Sequence, residues 1–277
     1  MTRAYVETTV LTDALLKPGP RANAAKSALR RYDESLLPVY SIKEFKAGPL
    51  AHYVWFHGKL VTTGSWQKTL GQLRKTAMSP FRIRWVSTAI EALEAAEHQN
   101  RDVTLGELVN KYGALATDDV VRCDRYRLSL RRIIMRAWKK RRQLTSTVVH
   151  ELNCYPEGDI VEERGLIELG EVDCCPKDEC CLAEELRRNP ESLKKMKAAI
   201  ADQTRKEGNV QKKENVKRSQ VLRNLIRPSH KLTPKQCRYL GDAVFAYFCP
   251  PDAVILTTNT TDLIPLAEAV GKKAEAP

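Results

Sequence analysis

The stretch AVILTTNTTDLIPLAEAVG, residues 253–271, constrains the fold more than any other part of this chain. A short apolar, β-branched run stops abruptly at threonines, an asparagine and Asp262, and a helix-compatible segment follows at once. Strand, small polar turn and helix in that order is the repeating unit of an open α/β sheet. Such sheets bind ligands in the crevice outside the carboxyl ends of their strands. That makes Asp262 a suspect, with Thr258 and Asn259 placed to orient it by hydrogen bonds; an ordinary helix N-cap is its bland alternative.

The other end of the chain has the same character. AYVETTVLTDALL reads as strand then helix, with the change around Asp13, and KPGP at residues 17–20 interrupts it. LLPVYSI, residues 36–42, reads as a second strand and feeds the helical KEFKAGPLAHYVWFHGKL, broken at Gly48 and Pro49. From about Gly64 to Arg227 long helical segments replace this alternation, apart from GDIVEERGLIELGEV, which suggests a small hairpin. After Pro228, Thr233 and Pro234 form an N-cap and first-turn pair opening the helix PKQCRYLGDAVFAYF. The pattern predicts a discontinuous α/β domain, residues 1–60 and 228–277, whose two ends share one sheet, and a mainly helical, basic insertion, residues 61–227.

Charge narrows the partners. The 277 residues carry 46 Lys and Arg against 34 Asp and Glu, a formal net charge of +12, which favours a polyanion such as nucleic acid. The excess is concentrated in RCDRYRLSLRRIIMRAWKKRRQL, where Arg131, Arg132, Arg136, Lys139, Lys140, Arg141 and Arg142 are the candidate phosphate contacts. The bland reading is a solvated helix face packed through Leu128, Leu130, Ile133, Ile134 and Trp138. Eight cysteines without a secretory leader predict reduced thiols or metal ligands rather than a disulfide scaffold. Apolar runs such as AVFAYFC are too short to span a bilayer, so a soluble, cytoplasmic protein with no membrane partner is expected. Cys174, Cys175, Cys180 and Cys181 in DCCPKDECCL, with His150 and Cys154 upstream, leave a structural zinc site and free thiols equally open. Cys123, Cys237 and Cys249 read as core, and His52 and His57 as packing among aromatic residues.

Four carboxylates occupy comparable places. Glu7 lies in the first strand, Glu44 opens the helix after the second strand, Asp242 sits in an apolar helix, and Asp262 follows the last strand. Carboxylates forced into one crevice repel unless a cation lies between them, which suits Mg²⁺ or Mn²⁺. Such ions turn water into a nucleophile and stabilise a phosphodiester leaving group.

These residues resemble the PIN-domain ribonucleases. The family's opening strand, acid, Thr or Ser and second acid look like YVETTVLTDAL; its Glu on a helix after a short strand looks like LPVYSIKEFKAG. Its Asp in an apolar helix before a loop and strand looks like LGDAVFAYFCPPDAVIL, and its strand ending in Thr, Asn and Asp looks like ILTTNTTDLIPLAEAVG. The resemblance covers roughly residues 1–60 and 228–277. It implies a three-layer α/β/α fold around a parallel sheet and metal-dependent hydrolysis of RNA, with Glu7, Glu44, Asp242 and Asp262 as the catalytic and metal-binding residues. Because such nucleases are often toxic, it leaves room for a neutralising protein partner, and a homo-oligomer is also open. Glu7 stands where the family has Asp, with Asp13 as the neighbouring alternative. The alternative function is a catalytically inactive PIN-like module that binds nucleic acid or a protein, with the basic insertion as its surface.

Overall fold

The computed structural model describes residues 2–99, 118–152, 158–170, 181–206, 209–225 and 232–277. Its central sheet has five strands: β1 (Arg3–Val6), β2 (Glu34–Pro38), β3 (Thr147–Val149), β6 (Ala253–Leu256) and β7 (Lys273–Glu275). They lie in the order β3-β2-β1-β6-β7, and every neighbouring pair is parallel. A separate antiparallel hairpin joins β4 (Ile160–Glu163) to β5 (Leu166–Leu169), where alternation predicts it. Arg164 and Gly165 at its tip both have positive φ, the geometry of a tight two-residue turn.

Helices cover both faces. The N-terminal third supplies α1 (Thr8–Leu16), α2 (Pro20–Leu29), α3 (Val39–Phe45), α4 (Ala51–Thr63), α5 (Trp66–Lys75) and α6 (Pro80–Gln99). Then come α7 (Asp118–Lys140), α8 (Cys181–Arg188), α9 (Pro190–Lys206), α10 (Asn209–Leu225), α11 (Pro234–Tyr239), α12 (Gly241–Phe248) and α13 (Thr260–Ala269). Strand alternation splits the core between the two faces. Val6, Leu37 and Leu256 point into a cluster with Leu11, Phe45, Phe56, Leu130 and Trp138. Tyr5, Leu36 and Ile255 point into the opposite cluster with Leu186, Met196, Leu222, Phe245 and Leu263. The result is an α/β fold with a parallel central sheet between helical layers.

β1 pairs with β6 in register Tyr5 to Ile255, so the two chain ends do share one sheet. The middle of the chain is not a detached lobe, however. β3, from the predicted insertion, extends the sheet beyond β2, and α7 packs into the first core cluster while α8, α9 and α10 pack into the second. The physical reason is burial: both faces of a parallel sheet must be covered, and the helices of residues 61–227 supply much of that cover.

Three local expectations change. The second strand ends at Pro38, and Val39–Phe45 is helical, because the amides of Val39 and Tyr40 donate to the Glu151 carboxylate at 3.0 and 2.9 Å and thereby start α3. Gly48 and Pro49 do not break the next helix. A π-helical turn, Lys46–Leu50, carries α3 into α4 and absorbs the amide that Pro49 lacks. The helix from Pro234 bends at Leu240 into α11 and α12; its start has the expected Thr233 cap, completed by Gln236 into a capping box. Among the described residues, no helix is long and apolar enough to cross a membrane.

Candidate active site

Strand order reverses between β1 and β6: the chain proceeds outward to β2 and β3 on one side and to β7 on the other. A crevice opens at such a switch point, outside the carboxyl ends of the two strands. Glu7 follows β1 directly as the N-cap residue of α1, rather than lying within the strand. Asp262 occupies the first turn of α13, three residues after Asn259, and does not itself cap the helix. Asp242 lies in the first turn of α12, not mid-helix, because of the break at Leu240. Glu44 sits near the end of α3, not at its start, since that helix begins at Val39, four residues before the Lys43 that the pattern suggests.

Hydroxyl donors fix the two glutamates. Thr8 Oγ1 donates to Glu44 Oε2 at 2.8 Å, while Glu7 Oε2 accepts from the Thr9 hydroxyl and from Thr257 Oγ1 at 3.0 Å. Burial, opposed by the hydrogen bonds from Thr9 and reinforced by the charges of Asp242 and Glu44, pushes Glu7 up to about 8. Glu44 is pushed up to about 7, by burial first and by Asp242 among its neighbours. The carboxyl of Asp242 is also raised, chiefly by burial, although Arg218 pulls the other way. These four acids therefore stand within electrostatic reach of one another along a chain from Glu44 and Glu7 through Asp242 to Asp262.

The aspartates are engaged differently. Asn259 Nδ2 donates to Asp242 Oδ1 at 3.2 Å and to Asp262 Oδ2 at 3.3 Å, the orienting role expected of it. Thr258 contributes its backbone amide to Thr9 Oγ1, and it is Thr257 whose side chain reaches the acids. Arg218 of α10 is the unforeseen member. Its guanidinium meets Asp242 Oδ2 at 3.0 Å and Asp262 Oδ2 at 3.1 Å, so one cation is shared by two acids. Burial disfavours its charge, but Asp242 and Asp262 more than offset this and its pKa is raised. The Gln203 side chain of α9 donates to the carbonyls of Thr261 and Asp262, at 2.9 and 3.1 Å, and fastens the same corner. Nothing in the local sequence of Arg218 distinguishes it from its basic neighbours; only docking of α10 selects it.

Gly241 has a definite role. A Cβ there would stand 2.6 Å from Glu44 Oε1, too close for any real contact, while the rest of the site would tolerate it. Gly241→Ala is therefore expected to leave the melting temperature within about 2 °C, since only a side-chain terminus must move. It should lower any activity that depends on Glu44 by about 10-fold or more, because misplacement of about 1 Å at a catalytic group costs that much or more. Thermal melting and activity measured together check this.

Asp13 is buried, ion-paired with Lys17 just past the end of its helix, and lines the same cleft as Glu7. His57 is buried, and burial pushes its imidazole down to about 4, whereas His52 borders the open cleft. Cys123, Cys237 and Cys249 are buried, as expected, and in no disulfide. Cys174, Cys175, Cys180 and Cys154 lie outside the described residues; Cys181, at the start of α8, is a half-buried free thiol, and His150 is exposed. Among the described residues, no group of three or more His, Cys, Asp or Glu is arranged as it stands to hold a metal ion.

The basic helix α7 divides its charges. Arg131 forks onto Glu162 of the hairpin, with contacts of 2.8 Å from Nε. Arg141 is buried, its guanidinium 3.3 Å from the centroid of the Trp138 ring and hydrogen-bonded to the Trp138 carbonyl, so it is a packing residue rather than a surface phosphate contact. Arg132, Arg136, Lys139, Lys140 and Arg142 are exposed. Arg136 and Lys140 line a cavity of about 590 Å³ with Lys17, Lys26 and Arg30. A larger cleft of about 1020 Å³ contains Glu7, Glu44, Thr8 and Thr9, and Lys17 borders both. Comparison with protein-family models, with curated proteins and with solved structures gives no match, so these residues alone define the candidate site.

Proposed function

We propose that this chain is a metal-dependent ribonuclease of PIN-like architecture, in which Glu7, Glu44, Asp242 and Asp262 form the catalytic centre. One observation carries this reading: carboxylates from the two distant ends of the chain stand within electrostatic reach of one another beside the crevice between β1 and β6. The donor set suits Mg²⁺ or Mn²⁺, being made of hard oxygens only. Glu7 and Glu44 ionise reluctantly there, chiefly because they are buried and also because Asp242 stands near both. Glu7, Glu44 and Asp242 would hold the ion, with Asp262 and Asn259 fixing Asp242. When bound, such an ion lowers the pKa of water and stabilises charge on a phosphoryl oxygen. The reading requires side-chain rotation, with Arg218 giving up part of its hold on Asp242. Thr8, Thr9 and Thr257 position the glutamates, and the basic surfaces along Lys17, Arg136 and Lys140 attract the RNA phosphates.

Incubation of the full chain with a single-stranded RNA and Mn²⁺ or Mg²⁺ is expected to give cleavage that a chelator stops. Asp242→Asn should slow it at least ~100-fold. Undiminished cleavage by that variant would overturn the assignment. A second reading, a PIN-like module that binds RNA or a protein without cutting, is favoured by the guanidinium of Arg218 between Asp242 and Asp262. RNA binding with no cleavage in any divalent cation is the result that selects it.

A further inference from the structure

The cleft that holds Glu7 and Glu44 has an aromatic wall that the hydrolytic chemistry does not use. His52 and Trp55 of α4 and Phe81, Arg82, Arg84 and Trp85 of α6 pack together and line it. Phe81 is 51% exposed, although it stands between His52 at 5.3 Å and Trp85 at 6.0 Å between ring centroids. Both contacts are edge-to-face, at 70° and 77°. The guanidinium of Arg82 lies 4.7 Å from the Trp55 ring centroid, and that of Arg84 lies 5.6 Å from that of Trp85. Arg84 and Arg238, which also line the cleft, are exposed.

A half-exposed phenylalanine among cations is a poor surface for an apolar protein partner, because the arginines would lose hydration without gaining acceptors. It matches a ligand that alternates flat apolar faces with negative charge, which is the chemistry of an unpaired nucleic-acid strand. Inside a duplex the base faces are stacked on one another, and only the terminal pairs leave a face open to such a ring.

We propose that Phe81 is a base-stacking residue for the RNA strand, one of whose unpaired bases stacks on its ring while adjacent phosphates pass Arg84 and Arg238. This deepens the ribonuclease reading and rests on it for the identity of the strand. The stacking wall and the carboxylates share one cleft, so the stacked base belongs to a nucleotide close to the scissile phosphate.

The test is binding measured in chelator, where no cleavage intervenes. Fluorescence anisotropy is recorded with a labelled single-stranded RNA oligonucleotide and with the same sequence as a blunt duplex, for wild type, Phe81→Ala and Phe81→Trp. Wild type is expected to prefer the single strand. Phe81→Ala should weaken single-strand binding about 10-fold or more and leave duplex binding unchanged, while Phe81→Trp retains it. Unchanged melting of Phe81→Ala, expected from the ring's exposure, excludes a folding defect; if that variant unfolds, Phe81→Trp against Phe81→Gln decides. Equal or tighter duplex binding by wild type, or full single-strand affinity in Phe81→Ala, overturns the proposal. Stacking with no cleavage in Mn²⁺ would leave this inference standing and remove the nuclease reading; cleavage with an indifferent Phe81 would do the reverse.

Discussion

Glu7→Gln is expected to slow metal-dependent RNA cleavage at least ~100-fold and, in chelator at pH 8, to stabilise the protein by on the order of 3 kcal/mol. The two effects have one cause. Glu7 is buried beside Asp242 and Glu44, and the folded state raises its carboxyl to about 8. A carboxyl that binds its proton more tightly when folded favours folding at low pH. That advantage disappears as pH rises, so stability declines between the ordinary glutamate value of about 4.5 and about 8. Glutamine keeps an acceptor for Thr9 and Thr257 and cannot ionise, so it escapes that decline. Melting curves from pH 5 to 9 in chelator check it: wild type should lose stability toward pH 8, and the variant should not. A variant that melts below wild type at pH 8 would show that the Glu7 carboxylate is compensated, and that no divalent cation is needed there.

Arg218→Ala is expected to cost about 3–5 kcal/mol in chelator, because it leaves two largely buried aspartates with no shared cation. That corresponds to a fall in melting temperature on the order of 10 °C for a chain of this size. The removed guanidinium competes with any ion at Asp242. Mn²⁺ should therefore raise the melting temperature of Arg218→Ala more than that of wild type, since a ligand stabilises according to its affinity for the folded state. In the double variant Arg218→Ala, Asp242→Asn the extra cost should largely vanish, as the repulsion between the aspartates is then gone. Equal Mn²⁺ shifts in wild type and Arg218→Ala would show that Arg218 and the ion do not share a seat, and would count against Asp242 as a ligand.

Legibility in the sequence followed the range of the interactions. The apolar run Ala253–Leu256, stopped by Thr257 and followed by a helix, identifies β6 and α13 because strand and helix periodicities are local. The same holds for the hairpin Ile160–Leu169 and for the Thr233 cap. Boundaries slipped where a distant group intervened. The carboxylate of Glu151, more than a hundred residues away, starts α3 at Val39, which places Glu44 near the end of that helix.

Glu7, Glu44, Asp242 and Asp262 were visible as residues at the ends of apolar runs, and Asn259 as their companion. Their meeting depends on the pairing of β1 with β6 across some 250 residues, which no local pattern specifies. Arg141 was visible only as one charge in a basic run, and stacking on Trp138 removes it from the surface. Sequence alone therefore determined the elements and the chemistry available at their ends, because backbone propensity and side-chain periodicity act over a few residues. Tertiary structure alone decided that Arg218 neutralises two of the acids and that Phe81 borders the other two, because charge compensation and shared clefts depend on distances between helices that the chain order does not encode.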